Sequence, residues 1–169
     1  MGLDTSGLPV PDRRLSCDTV SVVKDEYLVK LLFAQKEVVG KGFLSLLVVQ
    51  MSFDAVRQFV RTMVPLEEGV RRLEQGNFPI GRVSDIQERA QQSAVVTSSM
   101  ILAGYTGTDG CLDFYYTSPF SIHSINLGNK IAVESVVRVN LPTPLLIALW
   151  RRLAELAPSL PSAPEEVKS

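Results

Sequence analysis

The sequence predicts an α+β fold of two βββα repeats with antiparallel sheets, packed with pseudo-two-fold symmetry. Three observations lead there. First, residues 44–63 and 134–153 carry one apolar pattern when displaced by ninety positions. Leu47, Val49 and Met51 fall on Val137, Val139 and Leu141; Ala55, Val56, Phe59, Val60 and Met63 fall on Leu145, Leu146, Leu149, Trp150 and Leu153. Second, each stretch alternates with period two and then switches to the i, i+1, i+4, i+5, i+8 spacing of a helix with one buried face. Third, two further β-rich runs precede the shared stretch in each half. Three strands and one helix make a thin core, so the copies are expected to bury surface against each other. A two-fold arrangement does this by using the same patch twice.

In chain order, residues 1–16 lack periodicity and predict a flexible arm. Residues 17–63 predict the first repeat. Asp18–Val23 and Tyr27–Ala34 are β-rich and are split by Lys24-Asp25-Glu26, the spacing of a hairpin. Gly40-Lys41-Gly42 signals a turn before a third strand, Phe43–Met51. Ser52 is placed to cap a helix to Met63, with Asp54 in its first turn. Residues 64–92 predict a helical connector of mixed charge, with a helix over Leu66–Gln75 and a second opened by the Ser84…Gln87 capping box. Residues 93–156 predict the second repeat. It comprises a long strand Ser93–Ala103, a turn ending in Asp109-Gly110, strand Cys111–Thr117, a connection over 120–130 and strand Ile131–Leu141. A helix follows, with Thr143 as cap and Pro144 first. The Pro-, Ser- and Glu-rich residues 157–169 predict a disordered tail.

Composition excludes several function classes. With 17 Lys and Arg against 18 Asp and Glu, no global field draws the chain to nucleic acid or an acidic membrane. No apolar run approaches the roughly 20 residues of a membrane span, and the Pro-broken start MGLDTSGLPVPDRR leads to the expectation of no secretory signal. Gly2 and Ser6 match a myristoylation pattern, but it is short and has no basic cluster beside it. Cys17 and Cys111 are too few for a disulfide framework. The expectation is a cytoplasmic protein with two reduced, partly buried thiols.

Candidate chemistry is sparse. His123 is the one histidine, and Ser121, Ser124 and Asp113 lie near it in sequence, but no nucleophile elbow precedes either serine. Cys17, Cys111 and His123 lack paired zinc-ligand spacing. Gly107-Thr108-Asp109-Gly110 lacks the alternating acids of a calcium loop, and Gly40-Lys41-Gly42 lacks the frame of a phosphate loop. Both read better as hairpin turns, and no cofactor is expected. Asp113 sits between Leu112 and Phe114 in a strand-like run, where such a carboxylate usually faces solvent. Glu134 and Arg138 share a strand face and suggest a cross-strand ion pair rather than acid–base machinery.

Tyr105, Phe114, Tyr115, Tyr116 and Phe120 form an aromatic cluster confined to the second half, with Trp150 on the apolar stripe of the last helix. Aromatics on a sheet can stack bases, but residues 93–123 hold no Lys or Arg. Core packing is the plain reading of the cluster; a protein-contact surface is the functional one.

The second half also resembles a family of small bacterial proteins of unknown function. Their pattern is an E-F-x-L-D-F-like strand followed by V-x-R-V-x-L-S/T-P running into a helix. The matching pieces are Cys111-Leu112-Asp113-Phe114 and Val136-Val137-Arg138-Val139-Asn140-Leu141-Pro142-Thr143-Pro144. The first half resembles it through Tyr27-Leu28-Val29-Lys30-Leu31 and Val48-Val49-Gln50-Met51-Ser52, without the Arg and the Leu-Asp-Phe. The resemblance implies no catalytic residues. Strands followed by helices are also loosely similar to the export chaperone SecB, with no shared motif.

The functional expectation is a non-enzymatic protein–protein interaction or assembly module. It would bind another protein or itself, as a homo-oligomer, through a sheet face, a strand edge or the aromatics Tyr105, Phe114, Tyr115, Tyr116, Phe120 and Trp150. The alternatives are a SecB-like holdase for unfolded segments and an enzyme with a pocket near Asp113, His123 and Tyr115 or Tyr116.

Overall fold

A computed structural model describes residues 7–37, 39–40, 42–63, 94–120 and 133–162. Within them the chain is α+β, with eight strands in two sheets and two helices. The strands are β1 (Arg14–Ser16), β2 (Thr19–Lys24), β3 (Leu28–Lys36), β4 (Phe43–Ser52), β5 (Ala94–Ser98), β6 (Met100–Tyr105), β7 (Asp109–Tyr116) and β8 (Glu134–Pro142). The helices are α1 (Phe53–Met63) and α2 (Thr143–Leu156). Neither is long and apolar enough to cross a membrane.

One sheet has the order β1-β8-β7-β6 and the other β2-β3-β4-β5. Each therefore takes one strand from the other half of the chain. β1 pairs parallel to β8, and β5 pairs parallel to β4; the remaining pairs are antiparallel.

This corrects the sequence reading in three places. Each half supplies four strands rather than three. The sheets are not wholly antiparallel. The run Ser93–Ala103 is two strands, β5 and β6, that leave Ser99 for different sheets. β1 lies in what reads as a flexible arm; its backbone is held by Cys17 N–H donating to the Asn140 carbonyl at 2.9 Å and Arg138 N–H to the Arg13 carbonyl at 2.9 Å. The expected connector at 64–92, the connection beyond Phe120, and Ser121, His123 and Ser124 lie outside the described residues.

The strand–helix units form for the local reasons the sequence suggests. In the β2–β3 turn, Asp25 Oδ1 accepts the N–H groups of Tyr27 and Leu28 at 2.9 and 2.7 Å. In the β6–β7 turn, Thr106 Oγ1 accepts those of Thr108 and Asp109 at 3.3 and 3.0 Å. A short polar side chain thus organises each turn. Ser52 Oγ accepts the Ala55 N–H at 3.2 Å and caps α1. Thr143 does not cap α2, whose first turn has no side-chain cap. Its buried hydroxyl instead donates to the Thr106 carbonyl at 2.8 Å, and its N–H to the Thr108 carbonyl at 3.0 Å, tying the helix start to the turn.

The inner faces of both sheets and both helices share one core. All eight pattern pairs read from the sequence lie in or against it. At its centre Phe33 of β3 and Phe114 of β7 meet edge to face, ring centroids 5.9 Å apart. α1 lies against β6 and α2 against β2, so each helix covers a strand of the other half. Both sheets carry a bulge. Phe33 pairs with Leu47 but Ala34 with Ser45, leaving Leu46 unpaired; Phe114 pairs with Val137 but Tyr115 with Ser135, leaving Val136 unpaired. The two extra residues are ninety positions apart.

Candidate functional site

The expected aromatic cluster does not exist as a surface. Phe114 is fully buried against Phe33. Its side chain points between the sheets because it alternates with Asp113 and shares a face with Leu112. Tyr115 is buried and Tyr116 half-buried. Burial, with the Asp113 carboxylate adding to it, pushes the Tyr115 phenol up from its ordinary value. Trp150 is buried between the helices, its Nε1–H donating to the Val60 carbonyl of α1 at 3.3 Å. Tyr105 and Phe120 alone are exposed, Phe120 to 86%. The plain reading of Phe114, Tyr115 and Trp150 as packing holds.

Asp113 does not face solvent: its side chain is 13% exposed. Arg138 Nε and Nη2 donate to its two carboxylate oxygens at 2.7 and 2.8 Å across the β7–β8 register pair. This is the fork-to-fork geometry of a strong charge-assisted pair. That hydrogen bonding pushes the Arg138 guanidinium up from its ordinary value. The expected cross-strand ion pair is thus present, with Asp113 as Arg138's partner.

The candidate site is a pair of grooves, each between a hairpin turn and a strand–helix junction. The first has a volume of about 460 Å³. Glu26 and Tyr27 of the β2–β3 turn form one side; Ser52, Phe53, Asp54 and Arg57 form the other. Pro161 and Ser162 complete its lining. The expected disordered tail is therefore ordered through Ser162. Ala157–Ser159 form a 3-10 turn, and Leu160 is buried in the common core. Arg57 Nη2 donates to the Leu160 carbonyl at 3.2 Å and also to the Pro161 carbonyl. Its other terminal nitrogen pairs with Asp54 one helical turn away. Local sequence hides this docking, because a Pro- and Ser-rich stretch reads as solvated until a buried leucine anchors it.

The second groove, of about 450 Å³, lies between the β6–β7 turn and the β8–α2 junction. It is lined by Thr108, Asp109, Asn140 and Pro142, with Ser16 at the end of β1 and Cys17 just after it. Burial, helped by Asp18, pushes the Cys17 thiol up to about 12. It therefore stays protonated near neutrality and is a poor nucleophile. No group of His, Cys, Asp and Glu suited to a metal occurs among the described residues. Comparison with protein-family models, curated proteins and solved structures finds no match.

Proposed function

We propose that this chain is a non-enzymatic protein–protein interaction module, built from a duplicated strand-rich unit whose two copies exchange their first strands. The duplication is supported by register. Both sheets run exchanged strand, fourth, third, second, and both bulge at the same step, at Leu46 and Val136. Counterparts also touch each other, as residues near a two-fold axis must. Phe33 and Phe114 pair with the counterparts Leu47 and Val137 and meet ring to ring. Val60 and Trp150 coincide in the repeat and share a hydrogen bond.

The observation that carries the functional reading is the docked segment Leu160–Ser162. Beside the groove between turn and helix, a proline-containing piece of chain is held against the body and forms part of the groove wall. It is held largely through main-chain carbonyls and one apolar anchor, a mode in which main-chain hydrogen bonds give affinity and a side-chain pocket gives specificity. The second groove also lies between a hairpin turn and a strand–helix junction, and its lining sets the polar Ser16, Thr108, Asp109 and Asn140 beside Cys17, Leu141 and Pro142. In this reading it receives an extended segment of a partner protein. Asp113, the most suggestive acid in the sequence, is occupied by Arg138, which weighs against acid–base chemistry there.

The test is affinity capture with the full chain. The expected result is one stoichiometric partner, lost when Thr108→Arg and Asn140→Arg fill the second groove and kept in Tyr105→Ala and Phe120→Ala. Loss in the aromatic variants with retention in the groove variants would move the site to the exposed aromatics. Suppressed aggregation of several unrelated clients, with no single partner, would favour a holdase.

A further inference from the structure

β5 ends its sheet in a different way from β1. β1 is three residues long, follows Arg13 and begins with Arg14, which stands opposite Arg138 and is exposed. Shortness and positive charge are standard protections of a strand edge. β5 holds the corresponding place beside β4, with Val95 opposite Val48 where β1 sets Arg14 opposite Arg138. Yet β5 is five residues long, Ala-Val-Val-Thr-Ser, without charge or proline. Ala94, Val95 and Thr97 are exposed, Val95 to 55%. Ser21, Leu32, Val48 and Val95 stand side by side across the four strands. Leu32 and Val48 are buried in a small apolar cluster of their own, and the row runs out at Val95. Among the described residues no strand lies beyond β5.

We propose that the β5 edge is an interface between two copies of this chain, joined by antiparallel β5–β5 pairing about a two-fold axis at Val96. The second copy is the occupant because the edge is self-complementary. An axis normal to the sheet sets the strand antiparallel to itself. Val95 of each copy then stands opposite Thr97 of the other, a β-branched cross-strand pair, and Ala94 stands opposite Ser98. No like charges are brought together, whereas the same pairing at β1 would gather Arg13 and Arg14 of both copies. The contact also carries the apolar row past Val95 and makes one continuous sheet of the two four-stranded ones. It is independent of the groove reading above.

The experiment is the solution mass of the full chain by sedimentation, with hydrogen exchange along a dilution series. The expected mass is twice the 18.6 kDa of one chain, falling on dilution as mass action requires. Val95→Arg, which places in β5 the residue type found at the matching place in β1, is expected to give a single-chain mass with an unchanged far-UV circular dichroism spectrum. Arg14→Val is expected to remain dimeric. The amides of Ala94–Ser98 are expected to lose protection as the unmodified dimer dissociates. A single-chain mass for the unmodified protein overturns the proposal, as does a Val95→Arg dimer. If the variant does not fold, exchange decides: unchanged rates at Ala94–Ser98 across dissociation also overturn it.

Discussion

At the scale of single residues, the most telling contrast is between two pairs that hold the same place in the two sheets. Asp113 faces Arg138 on β7 and β8, and Leu32 faces Val48 on β3 and β4. One pair is an ion pair with its side chains 13% and 27% exposed; the other is apolar and buried. A charge pair that is mostly out of water gains Coulomb energy but loses hydration, so its net contribution is small while the damage from halving it is large. Asp113→Ala would leave Arg138 half-buried without its carboxylate and beside Arg14. The expected cost is about 1–3 kcal/mol of unfolding free energy, scaled down from the fully buried case for the remaining exposure. Asp113→Leu with Arg138→Val copies the other sheet, and is expected to fall within about 1 kcal/mol of the unmodified chain or above it. Urea unfolding of the two variants gives both numbers. A double variant as unstable as Asp113→Ala would mean that the pair holds β7 and β8 in a way apolar side chains cannot.

At the scale of elements, the C-terminal segment is the piece whose role packing decides. Leu160 keeps 6% of its surface exposed, and Arg57 holds the carbonyls on either side of the Leu160–Pro161 bond. Leu160→Ala is expected to cost about 2 kcal/mol through lost apolar burial. Arg57→Ala is expected to cost about 1 kcal/mol, since the carbonyls it leaves can turn to water. Thermal unfolding should order the two in that sense, and the reverse order would make the guanidinium the anchor. This segment also shows where the sequence stops being informative. β7, β8 and both helices follow from periodicity, because each has one face in the core and one largely out, and β3 and β4 follow from their long β-rich runs, which are apolar on both faces at Leu31–Ala34 and Leu47–Val49. The bidentate Asp113–Arg138 partnership needs a register that no local pattern specifies. β1 is three residues with an arginine, and its pairing lies across the chain on β8. β5 and β6 run together as one apolar stretch, since one serine between them marks a change of sheet. The aromatic residues are legible as apolar but not as in or out, because a single bulge at Phe114/Tyr115 decides which of two adjacent rings is buried, and here both are.

At the scale of the whole molecule, strand exchange makes the two halves depend on each other in a measurable way. Residues 7–63 hold three strands of one sheet and β1 of the other; residues 94–162 hold the remainder. Neither half can complete a four-stranded sheet alone, and each would expose a face that the other now covers, including Phe33, Phe114 and the helix contact at Trp150. Conformational entropy is lost in proportion to chain length, while burial falls faster than length in so small a piece. Chains cut within 64–93 are therefore expected to give fragments that fold cooperatively only when mixed. Trp150 is the chain's one tryptophan and lies in the second fragment, so it reports the event directly. Its emission should shift to shorter wavelength, and the near-UV dichroism should gain fine structure, when the first fragment is added. Native mass spectrometry should then show a one-to-one complex. A second fragment that already has buried Trp150 emission and unfolds cooperatively as a monomer would show the exchanged strands to be dispensable. A second fragment that reaches that state only as a dimer of itself would instead support the duplication, because β5 of one copy would then complete the β6–β8 sheet of another in the place β1 now takes.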